Sequence, residues 1–155
     1  MDNEKQKKNY SLSVIHYPLT LMKPFIEFTR RMRWADVDAA GILHFPRIFE
    51  IVEEAEIELL RKIGFSMFEK LKDLDFPRVR IECDFKKMIP LDAEFRLRLT
   101  VGRVGRSSIR YDFQAFTDKE ELALEGAMTV ATLKNGKLSK IPPDLRDALE
   151  GKKSL

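Results

Sequence analysis

The feature that most constrains this sequence is a change of hydrophobic period near residue 77. Beyond it, apolar and polar residues alternate over three successive runs, which is typical of strands with one buried and one solvated face. A fourth, more apolar run follows, and segments rich in Gly, Pro, Asp and Ser predict turns between the runs. Together they predict four consecutive antiparallel strands packed on one side. The runs cover residues 78–87, 94–101, 108–116 and 122–133.

Residues 46–63 repeat instead at the period of an α-helix. Apolar residues recur every three or four positions, and acidic residues fill the other faces. Pro46 fits the first turn, where a missing N–H costs nothing, and Gly64 fits the position just after the end. Arg61 and Lys62 lie in the last turn, where they complement the helix dipole. The pattern predicts one long helix.

The segments around this helix complete the expected architecture. Residues 25–34 show an imperfect alternation that predicts a first strand, residues 66–74 a short helix, and residues 141–150 a closing helix after two prolines. The order predicts an α+β fold in which an antiparallel sheet wraps around one central helix. We expect an N-terminal extension over residues 1–23 and a single domain over 24–155.

The charge balance argues against a nucleic-acid-binding protein. The 28 Lys and Arg residues exceed the 25 Asp and Glu residues by only 3 in 155. The strand arginines alternate with acidic and apolar residues and do not cluster with aromatic ones. They are Arg78, Arg80, Arg96 and Arg98. We therefore expect no nucleic-acid partner.

The lone cysteine, Cys83, rules out an internal disulfide framework and fits a reducing compartment. It alternates with Val79, Ile81 and Phe85, so we interpret it as a small buried side chain. No apolar run is long enough for a membrane span, and no signal peptide is evident, which favours a cytoplasmic protein. The two histidines and one cysteine show no metal-ligand spacing, so we expect no metal.

The segment "DVDAAGILHFP", residues 36–46, carries the strongest functional signal. Two aspartates precede a small-residue turn that ends at Gly41, which tolerates a positive φ, and a helix starts at Pro46. Such aspartates usually serve turn or capping chemistry. A helix start also offers unpaired N–H groups, here those of His44 and Phe45, to a developing negative charge.

This segment resembles the active-site segment of the 4-hydroxybenzoyl-CoA thioesterase family. That family has the hotdog fold, a long helix wrapped by an antiparallel sheet, and the element order agrees from about residue 24 to 145. The sequence departs from the family pattern at His44 and Arg47. It matches at Asp36, Asp38, Gly41, Ile42, Leu43, Phe45 and Pro46.

The resemblance implies an acyl-CoA or acyl-carrier-protein thioesterase. Asp38 would act either as nucleophile or as general base on water, and the backbone N–H of Phe45 would bind the oxyanion. Gly41, His44 and Arg47 would contact the substrate near its acyl group. Asp36 is expected to be mainly structural.

The resemblance also implies how the rest of the substrate is held. The turn "GRVGRSS" offers Arg103, Arg106 and Ser107 to the phosphates of coenzyme A, although a solvated basic turn is an equally simple interpretation. Coenzyme A would be part of the substrate, and no separate cofactor is expected. Because one unit leaves a sheet edge open, we expect a homodimer or homotetramer. The sequence does not determine whether the acyl group is aromatic or aliphatic.

Two other functions stay open at this point. A hotdog hydratase would need a histidine near an acid, for which His44 with Glu53 or Glu54 are the candidates. A non-catalytic acyl-binding module is disfavoured, because an apolar pocket gains nothing from the charge of Asp38.

Overall fold

The computed structural model describes residues 23–152. Most of the predicted extension, residues 1–22, and residues 153–155 lie outside this range, so the predicted domain boundaries stay predictions. The elements are β1 (Phe25–Arg31), a 3-10 turn (Trp34–Asp36), α1 (Arg47–Lys62), β2 (Arg78–Phe85), β3 (Glu94–Val104), β4 (Ser108–Thr117), β5 (Leu122–Ala131), β6 (Leu133–Lys134), β7 (Lys137–Leu138) and α2 (Pro143–Leu149).

Five strands form one sheet in the order β1-β3-β4-β5-β2, and every neighbouring pair is antiparallel. Consecutive strands β3, β4 and β5 lie side by side, whereas β1 and β2 form the two edges. The α1 helix packs against β1 and β3 on one face of the sheet. The predicted α+β architecture is therefore confirmed, as is the long helix.

The core lies between α1 and the facing side of the sheet. The helix contributes a stripe of buried aliphatic side chains at the predicted spacing, and alternate residues of β3 and β4 meet it. Fully burying one such side chain stabilises the fold by roughly 1.5–3 kcal/mol. Its largest fully buried members include Ile48, Ile51, Leu59, Leu97, Leu99 and Phe113.

Two predictions about local structure are wrong. The short helix expected over residues 66–74 is a series of turns, because the backbone of Asp75 pairs with Leu133 and draws the chain into an extended bridge. The strand expected over residues 122–133 ends at Ala131. A small hairpin then forms, and its turn residues Asn135 and Gly136 both have positive φ.

The apolar face of β2 is more exposed than its alternating pattern predicted. Val79 is 60%, Ile81 41% and Phe85 48% exposed, because α1 packs against β1 and β3 and does not cover the edge strand β2. Cys83 is half-buried on this strand, and burial raises the pKa of its thiol to about 11. The thiol is therefore protonated at neutral pH, as expected for an unreactive cysteine.

Candidate active site

Asp38 is held in a tight turn between β1 and α1. Its backbone N–H donates to the Ile42 carbonyl at 2.9 Å, and the Gly41 N–H donates back to the Asp38 carbonyl at 2.9 Å. Gly41 has a φ of 74°, which L side chains rarely adopt. The Ala40 N–H donates to Asp38 Oδ1 at 2.8 Å. The turn therefore fixes one carboxylate oxygen and leaves Oδ2 without a hydrogen bond from residues 23–152.

The N-terminus of α1 leaves the Phe45 backbone N–H available. The His44 N–H, a predicted candidate donor, is occupied because it donates to the Asp36 carbonyl at 2.9 Å. The Arg47 N–H donates to the His44 carbonyl at 2.9 Å. Within the described part of the chain, the Phe45 N–H has no such acceptor. This is the donor that the family resemblance implied.

Asp38 and Phe45 line the same cleft, which has a volume of about 670 Å³. The apolar part of its lining comes from the segment that precedes α1, from the last residue of β2 and from the segment that follows β2. These residues are Ile42, Leu43, Phe45, Phe85, Met88 and Ile89. Asp38, Phe45 and an apolar wall therefore line one cleft.

Lys86 and Lys87 also line this cleft, and the sequence interpretation did not include them. Lys86 Nζ lies 3.2 Å from Glu125 Oε1, and Lys87 Nζ lies 2.7 Å from Glu121 Oε1. Two adjacent lysines directly after an amphipathic strand were the available signal. They place positive charge beside the cleft.

Asp36 is fully buried beside the turn and is surrounded by arginine groups. Arg30 Nη2 lies 2.6 Å from its Oδ2, Arg47 Nη2 lies 3.2 Å from its Oδ1, and the Arg33 N–H donates to Oδ2 at 3.0 Å. Burial raises the pKa of Asp36, but the Arg33 N–H and the Arg30 charge outweigh burial and hold the pKa below its usual value. Asp36 is therefore ionised and structural, as its position suggested.

Arg47, for which the resemblance implied a substrate contact, forms ion pairs within the chain. The terminal nitrogens of its guanidinium pair with Asp36 and with Glu50, whereas its buried Nε has no hydrogen-bond partner among residues 23–152. His44 is exposed, and its ring lies edge-on to Phe45 at 5.6 Å between centroids.

The arrangement needed for a hydratase is not formed around His44. Glu53 Oε1 lies 2.8 Å from Arg78 Nε, and Glu54 Oε2 lies 3.9 Å from Arg30 Nη1. No hydrogen bond joins either carboxylate to His44 within residues 23–152. Both acids are thus engaged by arginines.

The predicted phosphate-binding turn lies at the other end of the sheet. Ser107 and Arg106 accept backbone hydrogen bonds from Thr132 and Ile141, respectively. Strand β2 runs from Arg78, beside this end, to Phe85 at the cleft. At about 3.3 Å per residue, that length exceeds roughly 20 Å. Within one chain, Arg103, Arg106 and Ser107 therefore do not meet Asp38.

A second groove, of about 590 Å³, includes charged residues of the sheet face turned away from α1. Its charges are already paired, since Arg110 lies 3.0 Å from Glu82 and 2.8 Å from Asp112. It offers neither a helix N-terminus nor an apolar wall like those beside Asp38. We therefore assign the candidate active site to the Asp38 cleft.

The sequence profile of the Thioesterase superfamily matches residues 40–124, more than half of the chain. The chain belongs to the thioesterase superfamily. A relative from Aquifex aeolicus with a provisional esterase name is 32% identical over 82% of this chain and 98% of its own length. A 1,4-dihydroxy-2-naphthoyl-CoA hydrolase of Synechococcus elongatus is 25% identical over 63% of this chain and 74% of its own.

The hotdog fold is confirmed by comparison with solved structures. A 1,4-dihydroxy-2-naphthoyl-CoA thioesterase from Synechocystis superposes with a TM-score of 0.74 at 18% identity, over 81% of this chain and 95% of that one. This superfamily member is an enzyme that hydrolyses thioesters. Across residues 23–152, no helix is both long and apolar enough to cross a membrane. The same residues contain no cluster of three or more metal-binding side chains.

Proposed function

We propose that this thioesterase hydrolyses acyl-CoA thioesters in the Asp38 cleft, with Asp38 as nucleophile or general base. The observation that carries the proposal is that Asp38 and Phe45 line one apolar cleft, and that the Phe45 N–H has no acceptor within residues 23–152. The resemblance to 4-hydroxybenzoyl-CoA thioesterases and the names of the relatives support coenzyme A as the carrier.

The first route begins with attack by Asp38 Oδ2 on the thioester carbon. The carbonyl oxygen becomes an oxyanion that accepts a hydrogen bond from the Phe45 N–H, where the positive end of the α1 dipole also stabilises it. The C–S bond then breaks, the coenzyme A thiolate leaves and takes up a proton from solvent, and a mixed anhydride with Asp38 forms. Water hydrolyses the anhydride to the free acid and restores the carboxylate.

In the second route, Asp38 orients a water molecule and takes its proton while the water attacks the same carbon. The oxyanion and its donor are unchanged, and the proton passes to the leaving sulfur. Both routes need the same geometry, a carboxylate oxygen and an N–H on opposite sides of the thioester carbonyl. The acyl group lies against the apolar wall of the cleft in either case.

We further propose that two copies pair through β2 and complete each site. Among residues 23–152 this edge has no partner strand on its outer side, and it carries the exposed Val79, Ile81 and Phe85. Antiparallel pairing around a two-fold axis would cover these side chains and extend the sheet. It would also bring the turn containing Arg103 and Arg106 of one copy to the same end as Asp38 of the other.

This arrangement gives the basic turn a role that one chain alone does not allow. The arginines would bind the phosphates of coenzyme A across the interface, while the thioester lies at Asp38. A homotetramer built from two such dimers would leave the sites unchanged. The proposed reaction needs no cofactor beyond coenzyme A, and we place it in the cytoplasm. An acyl carrier protein is the alternative carrier.

The proposal is tested with aromatic and aliphatic acyl-CoA substrates and the wild type, Asp38→Asn and Asp118→Asn. Asp118 lies in an exposed turn and serves as the control. We expect wild-type turnover, a loss of roughly a hundredfold or more in Asp38→Asn, and no loss in the control. Full activity in a folded Asp38→Asn variant would move the chemistry to another residue.

If the wild type hydrolysed none of the acyl-CoA substrates, the proposal would be contradicted. Turnover of acyl carrier protein thioesters would then favour the other carrier, and binding without turnover would favour an acyl-binding module. Hydration of an enoyl thioester would favour a hydratase. Intact mass spectrometry after rapid quenching separates the two hydrolytic routes, because only the nucleophilic route leaves an acyl group on the protein.

A further inference from the structure

Three hydrogen-bonded contacts form a closed circuit around the peptide that contains the Phe45 N–H. The Asp36 carbonyl accepts the His44 N–H, the His44 carbonyl accepts the Arg47 N–H, and the Arg47 guanidinium returns to the Asp36 carboxylate. The three donor–acceptor distances are 2.9, 2.9 and 3.2 Å. The circuit joins the 3-10 turn after β1 to the first turn of α1.

The circuit fixes the direction of the free donor. The His44 carbonyl and the Phe45 N–H belong to one planar trans peptide, so they point in opposite directions. Because the carbonyl is directed toward the Arg47 N–H inside the helix, the Phe45 N–H is directed out of the helix N-terminus. Any rotation of this peptide would break the contact between His44 and Arg47.

The position of Arg47 is otherwise unfavourable. A cation in the first turn of a helix opposes the helix dipole. Arg47 is nevertheless held there at 28% exposure by the buried Asp36 carboxylate. Asp36 is in turn held by Arg30 at 2.6 Å and by the Arg33 N–H at 3.0 Å. The ion pair is thus anchored on a buried carboxylate that Arg30 of β1 also holds.

We propose that Asp36 and Arg47 are positioning residues that hold the 44–45 peptide so that the Phe45 N–H meets the oxyanion. This inference rests on the proposed hydrolysis at Asp38. Neither side chain touches the substrate. We expect them to stabilise the transition state more than the bound substrate. The hydrogen bond from the Phe45 N–H to the substrate oxygen strengthens as negative charge develops on that oxygen.

The test compares Asp36→Asn and Arg47→Gln with Glu50→Gln, all in the full chain. Glu50 also pairs with Arg47, but it lies outside the circuit and is 55% exposed. We expect kcat to fall about tenfold to a hundredfold in the two circuit variants with little change in KM, since a misplaced donor removes transition-state binding. Glu50→Gln is expected to keep kcat within about twofold.

Two further measurements separate positioning from general structural damage. Arg47→Lys keeps a cation that can reach Asp36, and it should recover part of the lost kcat. In an Asp38→Asn background, infrared spectroscopy of a bound ¹³C-labelled thioester should show a carbonyl band lowered by the Phe45 N–H. Adding Arg47→Gln should reduce that lowering, whereas adding Glu50→Gln should not.

The outcomes distinguish this inference from the proposed function. An inactive wild type would contradict the hydrolysis and this inference together. An active wild type whose folded Asp36→Asn and Arg47→Gln variants keep both kcat and the carbonyl band would overturn only the positioning role. A rise in KM with unchanged kcat would also overturn it, because it would indicate ordinary substrate binding.

Discussion

Arg78 at the start of β2 forms an ion pair with Glu56 of α1, whose carboxylate is almost fully buried. The helical pattern placed Glu56 on a polar face, yet the residue is 2% exposed. Burial raises the pKa of Glu56 to about 7, the charge of Arg78 opposes this shift, and the nearby Glu53 adds to it. The fully buried Tyr111 is the other titratable neighbour.

The raised pKa of Glu56 predicts a stability that falls as the pH rises from about 4.5 to about 7. In this window the folded carboxyl keeps its proton while the unfolded one has lost it, so deprotonation favours unfolding. Urea unfolding of the wild type at pH 5 and pH 8 measures the loss. In Glu56→Gln the loss should be smaller by on the order of 2 kcal/mol. If the loss of unfolding free energy between pH 5 and pH 8 were the same in Glu56→Gln as in the wild type, the raised pKa would be contradicted.

Two glycines should respond differently to replacement by alanine. A Cβ at Gly126 would overlap the Glu82 carbonyl oxygen and the Phe113 ring, whereas a Cβ at Gly136 would have no neighbour within 4 Å. Gly136 only has to keep its positive φ. We expect Gly126→Ala to cost about 3 kcal/mol and Gly136→Ala about 1 kcal/mol. Chemical denaturation measures both, and equal losses would contradict the packing described around Gly126.

The sequence was sufficient to predict the elements whose pattern is set locally. Helix α1, predicted over 46–63, is observed as Arg47–Lys62, because its apolar stripe and its end signals all agree. The Asn135–Gly136 turn was also readable as a hairpin signal, and the sequence interpretation missed it. The local sequence therefore contained enough information to predict this hairpin.

Other features depend on contacts between distant segments, and no local pattern contains them. The pairing of Arg47 with Asp36 joins residues eleven positions apart across a turn, and no local pattern predicted it. The exposure of Val79 and Ile81 depends on where α1 crosses the sheet. The separation of Arg106 from Asp38 follows from strand order, which alternation does not determine.

The Phe45 side chain should matter less for the chemical step than the Phe45 backbone. Phe45→Ala keeps the N–H that would bind the oxyanion and removes a ring that is 62% exposed. We expect kcat to stay within about threefold and KM to rise, since the lost contact is with the acyl group before and during reaction alike. Steady-state kinetics on the best acyl-CoA substrate checks this. A fall in kcat without a change in KM would show that the Phe45 ring contacts the substrate only in the transition state.

Sharing of the site between two copies can be tested by mixing inactive variants. Asp38→Asn and Arg103→Glu/Arg106→Glu chains are each expected to be impaired, the second through weaker binding of coenzyme A. If each site takes Asp38 from one copy and the basic turn from the other, a mixed dimer has one intact site. Equal mixing after reversible dissociation should then restore about a quarter of wild-type activity at subsaturating substrate, because half of the dimers are mixed and half of their sites are intact.

A site formed within one chain would give a different result. Every site in the mixed dimer would then carry one of the two changes, and mixing would restore nothing beyond the average of the parents. Light scattering on the same samples would report the mass of the assembly. A monomer at micromolar concentration that is fully active would contradict the shared site, because a single copy separates Arg106 from Asp38 by the length of β2.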